Sequence, residues 1–168
     1  MSWINETKCQ KHMRLDIGSG DPAMGEVQPE GFVLNDIELH PNIDLVCDIR
    51  DLNKYIPNEF CSEIRACHVL EHFGTKETQK VIKMVHDLLE PHGKFTIFVP
   101  NFLWHAQLVL SGSDDTAILY CFGGQKDKYD YHKTGYTPKL LEKYLKENGF
   151  TIESMNISSS IECVAIKN

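Results

Sequence analysis

The sequence predicts a single α/β domain over residues 1–168, with a mainly parallel sheet that ends in a C-terminal antiparallel hairpin. Short apolar segments with strand character alternate with segments of helical periodicity, which is typical of a parallel sheet with crossover helices. The last two strand-like segments are separated only by three serines, which favours an antiparallel pair. A chain of 168 residues is long enough for one domain with its own core.

Five strand segments precede the hairpin, and each ends at a polar or turn-forming residue. They are Met13 to Ile17, Phe32 to Leu34, Ile43 to Cys47, Glu63 to Cys67 and Lys94 to Val99. The connection between the first two contains Pro22, Gly25, Pro29 and Gly31, residues that interrupt helices. We therefore expect the first crossover helix to be shortened or missing.

Three helices and the hairpin complete the predicted order. Apolar residues recur at helical spacing between Thr75 and Leu89, and Asn101 to Leu110 forms a second helical segment. A third helix is predicted from Lys139 to Glu147, because Thr137-Pro138 is a helix start signal and Gly149 follows its end. The hairpin strands are Phe150 to Ile157 and Ile161 to Ile166.

Charge, cysteine spacing and hydropathy narrow the possible functions. The formal net charge of −7 argues against a nucleic-acid partner, because phosphate backbones select basic surfaces. The six cysteines include no C-x-x-C pair, so we expect buried free thiols rather than a zinc knuckle or disulfides. No apolar run approaches the length of a membrane span, and Met1 to Arg14 has no signal-peptide core. A soluble cytoplasmic protein is expected.

Acidic and glycine residues follow the predicted strands. In an open parallel sheet, ligands bind beyond the carboxyl ends of the strands, so these residues should meet at one edge. They are Asp16, Gly18, Gly20, Asp36, Asp48, His68, Pro100 and Asn101. An acidic edge suits a ligand with a cation and ribose hydroxyls better than one with phosphates.

Several of these segments resemble the motifs of class I S-adenosylmethionine (SAM)-dependent methyltransferases, particularly the small predicted members of that family. The resembling segments, in chain order, are Leu15-Asp16-Ile17-Gly18-Ser19-Gly20, Asn35-Asp36-Ile37, Val46-Cys47-Asp48-Ile49, Cys67-His68-Val69-Leu70-Glu71-His72-Phe73 and Leu88-Leu89-Glu90-Pro91-His92-Gly93. Because these segments match in both order and spacing, a chance match is less probable than it would be for one motif alone. The resemblance implies a Rossmann-like fold, SAM as cofactor and methyl transfer as the activity.

The resemblance also assigns the cofactor contacts. It implies binding by Asp16, Ile17, Gly18, Ser19, Gly20, Asp36, Ile37, Asp48, Ile49 and His68. The glycines would admit the methionine part, with Asp16 receiving its amino group. Asp36 would accept the ribose hydroxyls, Asp48 the adenine amino group, and His68 would cover the cofactor. The third glycine of the family's first motif is absent from this sequence, and we expect neither the family's helix between the first two strands nor its helices before the first strand.

The segment His68-x-x-Glu71-His72 allows two interpretations. We favour Glu71 and His72 as pocket residues, with His72 and His132 as candidate general bases, because imidazole titrates near neutral pH. The alternative is a divalent metal held by His68, Glu71, His72 and His105, since histidines at i and i+4 are a metal-ligand spacing. The favoured interpretation predicts no metal. The loop from Lys126 to Lys133 could contact a polar acceptor.

Three functions follow in order of preference. The first is methyl transfer to a small-molecule or glycan-like hydroxyl acceptor, with a partner subunit or a homodimer completing the lid over the cofactor. The second is a catalytically inactive binding or regulatory subunit with the same fold, favoured by the absent lid helices. The third is a nicotinamide-dependent oxidoreductase, suggested only by the spacing Gly18-x-Gly20-x-x-Ala23, which we interpret as accidental.

Overall fold

A computed structural model describes residues 8–24, 27–113 and 116–168 of the chain. Its centre is a seven-stranded sheet. The strands are β1 (Met13–Ile17), β2 (Val33–Asp36), β3 (Leu45–Val46), β4 (Cys61–Cys67), β5 (Leu89–Pro100), β6 (Phe150–Ile157) and β7 (Ser160–Lys167). They are arranged in the order β3-β2-β1-β4-β5-β7-β6. The first five are parallel, whereas β7 is antiparallel to both β5 and β6, so the predicted fold class is confirmed.

Four α-helices connect the later strands. They are α1 (Thr75–Leu88), α2 (Phe102–Leu110), α3 (Ala117–Phe122) and α4 (Pro138–Glu147). Shorter 3-10 turns span Pro22–Met24, Ile49–Lys54 and Leu70–His72. The first of these is the only helical turn in the described residues between β1 and β2, which fits the expected shortening of the first crossover helix. Gly25 lies outside the described residues.

The largest differences from the prediction are the length of the third strand, the start of β5 and one helix that was not predicted. The third strand has two residues rather than five, because the Asp44 carboxylate replaces a backbone oxygen in accepting the N–H of Leu34 at 3.1 Å. Leu89 begins β5 instead of ending α1, and its ψ of 141° is extended. Helix α3 was not predicted, because six consecutive apolar residues are too few to distinguish a helix from a buried strand.

The main core lies on one face of the sheet. Alternate residues such as Leu15, Ile64 and Ile97 are fully buried there, in one cluster with Val85 of α1 and Leu141 of α4. On the opposite face the same strands place polar or half-buried residues, including an exposed Arg14. Successive side chains of these strands therefore point to opposite faces, as strand geometry requires. The polar residues at the carboxyl ends of the strands lie outside the core.

All six cysteines are free thiols, but only three are buried as expected, since Cys9, Cys67 and Cys121 are half-buried. Cys47, Cys61 and Cys163 are buried, and burial raises the pKa of Cys61 to about 12 and of Cys47 and Cys163 to about 11. At neutral pH these three side chains are therefore protonated and behave as small hydrophobic groups. Among the helices of the described residues, none has the length and apolarity needed to cross a bilayer.

Candidate functional site

A cleft of about 550 Å³ lies beyond the carboxyl ends of β1, β2 and β4. It is lined by Gly18, Asp36, Ile37, Asp48, Ile49, Arg50, His68, Val69, His72, Phe73, Glu77, Lys128, Tyr129 and Lys133. Its size falls within the usual range of about 300–1,000 Å³ for small-ligand pockets. Six of the predicted cofactor residues therefore share one cleft: Gly18, Asp36, Ile37, Asp48, Ile49 and His68.

A second cavity of about 490 Å³ adjoins the first. It is lined by Gly18, Gly20, Cys67, His68, His72, Pro100, Leu119, Tyr120, Gly123, Gly124, Asp130 and His132. The two cavities share Gly18, His68 and His72, so they meet beside the turn after β1 and the end of β4. A ligand in the first cavity can therefore face a second molecule in the other.

The turn after β1 depends on two glycines in the left-handed region. Gly18 has a φ of 64° and Gly20 a φ of 65°. A Cβ on Gly18 would lie 2.6 Å from Cγ2 of Val69, so the backbone approaches the segment after β4 closely. Ser19 holds the turn by donating its hydroxyl to the Asp16 carbonyl and its N–H to the Asn35 carbonyl.

Asp16 lies behind the turn rather than on a cavity wall. Its side chain is buried, and Oδ1 accepts a hydrogen bond from Arg65 at 2.7 Å while Oδ2 has no partner. Burial raises the pKa of this carboxyl, and the Arg65 charge opposes that shift. Asp16, Ile17 and Ser19 line neither cavity, so the structure separates them from the other predicted cofactor residues.

Asp36 connects the ends of β1 and β2. Its Oδ2 accepts the N–H of Gly20 at 2.9 Å, and its Oδ1 accepts the N–H of Glu38 at 3.0 Å. Two backbone donors fix the carboxylate in place at the cleft wall. A carboxylate oxygen has room for more than one donor, so both oxygens can also accept hydroxyls from a ligand.

Asp48 is the N-cap of the 3-10 turn Ile49–Lys54 and is paired with a residue that the sequence analysis did not select. Arg50 donates to the Asp48 carboxylate from Nε at 2.9 Å and from Nη2 at 2.5 Å, and Nη1 donates to Glu77 at 3.2 Å. The hydrogen bonds from Arg50 lower the pKa of Asp48. Arg50 and Glu77 also line the cleft, so Asp48 is a partly neutralised carboxylate there.

His68 directly follows β4 and has a positive φ of 55°, which turns the chain towards Glu71. Its Nδ1 lies 3.2 Å from Oε1 of Glu71. The Glu71 side chain is only 1% exposed, and its Oε2 has no hydrogen-bond partner. The Glu71 backbone carbonyl accepts the N–H of Lys133 at 2.7 Å and of Thr134 at 3.1 Å. These bonds hold the loop before Thr134 against the end of β4.

That loop brings His132 to His72. The ring centroids are 5.0 Å apart in an edge-on arrangement, although the residues are sixty positions apart in sequence. Nδ1 of His72 lies 3.3 Å from the Tyr131 carbonyl, and Nδ1 of His132 lies 2.9 Å from the Tyr120 carbonyl. Burial lowers the pKa of His132, so this imidazole is neutral at pH 7. The three predicted catalytic side chains, Glu71, His72 and His132, are thus brought together.

His105 lies outside this cluster, which corrects its place in the alternative metal set. It is buried in α2, its Nε2 lies 2.9 Å from the Ser159 carbonyl, and its ring stacks on Tyr120 at 4.5 Å. It therefore orders the wall of the second cavity. The histidine that lies beside Glu71 and His72 is His132 and not His105, because the loop before Thr134 packs against the end of β4.

Sequence reasoning also missed two apolar wall residues, Leu119 and Tyr120. They lie on α3, which the sequence analysis did not predict, and both are more than half exposed. A signal was available in Ala117–Phe122, because an apolar segment that ends at Gly123-Gly124 is typical of a short helix with a glycine C-cap.

Several solved structures with the same fold are methyltransferases. A Burkholderia thailandensis 1,6-didemethyltoxoflavin-N1-methyltransferase, crystallised with its substrate and S-adenosylhomocysteine, superposes with a TM-score of 0.61 at 16% identity. The match covers 95% of this chain and 72% of that chain. A SAM-dependent methyltransferase from Methanosarcina mazei gives a TM-score of 0.65 at 15% identity, over 94% and 93% of the two chains.

A third structure is a complex between the Trm112 methyltransferase activator and the putative methyltransferase of Haloferax volcanii. It gives a TM-score of 0.60 at 10% identity, over 94% of this chain and 83% of that chain. No family model matches the sequence. No curated protein matches it either. The chain has the fold of class I SAM-dependent methyltransferases, and the resemblance found in the sequence is confirmed at that level.

Proposed function

We propose that this protein is a SAM-dependent methyltransferase acting on a small-molecule or glycan-like hydroxyl acceptor. The observation that carries the proposal is the meeting of two cavities at Gly18, His68 and His72. One cavity has the carboxylate of Asp36, and the other has the imidazole of His132. Two adjoining cavities suit a reaction in which the methyl group of a donor must be aligned with the attacking atom of an acceptor.

The residues of the first cavity fit the donor. Asp36 is held rigidly by two backbone N–H groups, and its carboxylate suits the two hydroxyls of a ribose. Ile37 and Ile49 offer apolar surface for the flat adenine ring. The lining carries the carboxylates of Asp36, Asp48 and Glu77 and the cations of Arg50, Lys128 and Lys133, so its formal charge is balanced. A balanced lining suits SAM, which itself carries both cationic groups and a carboxylate.

The second cavity fits an acceptor that loses a proton. SAM supplies an electrophilic methyl group on a sulfonium when bound. A hydroxyl oxygen that forms a bond to this methyl must give up its proton as the carbon–sulfur bond breaks, and the thioether leaves neutral. His72 and His132 line the cavity, and either imidazole can accept that proton at Nε2 because its Nδ1 faces a carbonyl.

The acceptor wall combines apolar and polar groups. Leu119 and Tyr120 contribute apolar surface, whereas Asp130 contributes a carboxylate. Aromatic faces and carboxylates are the groups that bind polyhydroxylated rings, since a ring has apolar C–H faces and a polar edge. A small polyol or a terminal sugar would fit this wall.

Helices α2 and α3 both expose apolar side chains, among them Trp104 of α2 and Leu119 and Tyr120 of α3, and the last two line the second cavity. We include in the proposal a partner subunit or a second copy that completes the lid, and one domain over residues 1–168 in the cytoplasm. The complex of the Haloferax volcanii protein with an activator supports a partner of this kind without identifying it.

Calorimetric titration with SAM, S-adenosylhomocysteine and NADH tests the donor. We expect both sulfur compounds to bind with one site per chain and NADH to give no heat of binding. Binding of NADH alone would overturn the proposal. A screen of sugar, small-molecule, protein and RNA acceptors with isotopically labelled SAM then tests the acceptor, and labelling confined to protein or RNA would contradict the hydroxyl assignment.

A further inference from the structure

We infer that Glu71, His72 and His132 form a site for a divalent transition-metal ion at the wall of the second cavity. One ligand atom from each of these residues lies within 4.8 Å of the others. Atoms that share one cation through bonds of about 2.0–2.2 Å lie about 3–4 Å apart, so the three side chains need to close by only about 1 Å. The site revises the metal-free interpretation of the sequence, with His132 in place of His68 and His105.

The unpartnered oxygen of Glu71 is the first independent observation. The carboxylate is 1% exposed, and its Oε1 faces Nδ1 of His68, yet its Oε2 has no hydrogen-bond partner. Leaving a buried charged oxygen unsatisfied is costly, since the group loses its water without gaining a donor. A cation beside Oε2 would satisfy it.

The orientation of both imidazoles is the second observation. Nδ1 of His72 faces the Tyr131 carbonyl, and Nδ1 of His132 faces the Tyr120 carbonyl. A carbonyl only accepts hydrogen bonds, so each Nδ1 carries the hydrogen and each Nε2 keeps its lone pair in the neutral ring. Metal-bound histidines in proteins have this arrangement, because the second-shell carbonyl fixes the ring and the tautomer.

The donor set selects the class of cation. Two imidazole nitrogens and one carboxylate oxygen favour Zn²⁺, Mn²⁺, Fe²⁺ or Co²⁺ over Mg²⁺, which prefers oxygen ligands. Three protein ligands leave coordination positions for a ligand from the cavity. The hydrogen bonds from the N–H groups of Lys133 and Thr134 to the Glu71 carbonyl hold the loop that carries His132 beside Glu71 and His72.

The inferred function of the ion rests on the proposed methyl transfer. A cation in this position would bind the acceptor oxygen and lower the pKa of its hydroxyl, so that the proton leaves to solvent water. The oxygen then forms the bond to the methyl carbon while the carbon–sulfur bond breaks. In the metal-bound protein the Nε2 atoms of His72 and His132 would hold the ion, and the proton that either imidazole would accept in the metal-free protein would go to water instead.

Metal binding can be measured without turnover. Protein freed of metal with EDTA is titrated with Co²⁺, recording visible absorption and heat, and then with Zn²⁺ as competitor. We expect one Co²⁺ per chain, with a ligand-field band that Zn²⁺ removes. Loss of a second-shell partner weakens metal binding about 10–100-fold, so Glu71→Gln and His132→Asn should each weaken Co²⁺ binding by at least about 100-fold.

The matched control is His40→Ala. His40 lies near two carboxylates, 3.7 Å from Asp21 and 3.6 Å from Glu38, so it would report adventitious binding to a different histidine–carboxylate group. Its replacement should leave Co²⁺ binding unchanged. Circular dichroism establishes that each variant is folded, and His132→Asn, on a loop, provides the test if Glu71→Gln does not fold.

Binding of S-adenosylhomocysteine to the metal-free protein separates the two proposals. Wild-type protein that binds S-adenosylhomocysteine but no stoichiometric Co²⁺ would overturn the metal site and leave the methyltransferase proposal intact. Co²⁺ binding without S-adenosylhomocysteine binding would support the metal site and overturn the proposed function. Equal Co²⁺ affinity in the wild type, Glu71→Gln and His132→Asn would place the ion elsewhere and overturn the inference.

Discussion

The backbone N–H of Gly20 donates to Oδ2 of Asp36 at 2.9 Å, which joins the turn after β1 to the end of β2. The same carboxylate faces the first cavity. Asp36 therefore holds the turn in shape, and in the proposed function its two oxygens also bind the ribose of the cofactor. Stability and ligand affinity should change together when this side chain is altered.

Asp36→Asn should weaken binding of S-adenosylhomocysteine by about 1.5–3 kcal/mol, the scale of hydrogen bonds to a charged group. The amide also places an N–H group opposite a backbone donor, so the free energy of unfolding should fall as well. Calorimetry and urea denaturation measure the two effects. Glu38→Gln, an exposed carboxylate two residues away, is the control and should change neither. Wild-type affinity in folded Asp36→Asn would show that Asp36 is not the ribose ligand.

Gly18→Ala should destabilise the fold more than Gly112→Ala. Both glycines have similar positive φ values, 64° and 66°, so the backbone strain is matched. A Cβ at Gly18 meets Cγ2 of Val69 at 2.6 Å, whereas at Gly112 it meets nothing within 4 Å. We expect an additional loss of about 1–3 kcal/mol for Gly18→Ala, the usual range for overpacking, measured by urea denaturation.

Adding Val69→Ala to the Gly18→Ala variant should recover part of that loss, because it removes the clashing methyl groups. Equal destabilisation by Gly18→Ala and Gly112→Ala would mean that the close approach of Gly18 to Val69 has no energetic consequence. Cofactor binding should also be weaker in Gly18→Ala, since a turn that shifts away from Val69 moves the wall of both cavities.

The Asp48–Arg50 pair should contribute to stability at neutral pH and lose that contribution in acid. Arg50 lowers the pKa of Asp48, so the folded state binds fewer protons than the unfolded state, whose carboxyl titrates at about 3.9. The stabilisation is present above the unfolded pKa and disappears as pH falls through the folded pKa. Arg50→Gln should therefore flatten the decline of Tm between about pH 6 and about pH 2.5.

Lys54→Gln is the matched control for Arg50→Gln. Lys54 pairs with Asp51 at 2.8 Å in the same 3-10 turn, but both side chains are largely exposed. Its removal should leave the pH profile of Tm close to that of the wild type, because exposed ion pairs contribute little. If Tm depended on pH in the same way in the wild type and in Arg50→Gln, the Asp48–Arg50 pair would not stabilise the fold at neutral pH.

Tyr136→Phe should destabilise the segment after β4. The buried Tyr136 hydroxyl lies 3.3 Å from the Leu70 carbonyl oxygen and 3.1 Å from Oγ1 of Thr78, so it joins the Leu70–His72 turn to α1. Its loss should cost about 1–3 kcal/mol of unfolding free energy, because buried polar partners remain unsatisfied. Tyr129→Phe is the control and should change stability little, because Tyr129 is 39% exposed whereas Tyr136 is fully buried. A Tyr136→Phe protein as stable as the wild type would contradict the bridging function.

The sequence by itself determined the fold class and which strand ends meet at the edge where the first cavity lies. Strand ends are adjacent whenever parallel strands share a sheet, so Gly18, Asp36 and Asp48 could be placed at one edge from their positions alone. The helices with strong periodicity and a capping signal, α1 and α4, were predicted to within one or two residues. These features depend on local patterns, which a single sequence contains.

Only the tertiary structure decided the second cavity and its partners. The contact of His132 with His72 requires the loop that is bonded to the Glu71 carbonyl, and no local pattern encodes a pairing across sixty residues. The same holds for Arg65, which binds the buried Asp16 from the neighbouring strand. Side-chain charge and burial in such pairs depend on which distant segments pack together, because hydrogen bonding and desolvation are set by the folded surroundings.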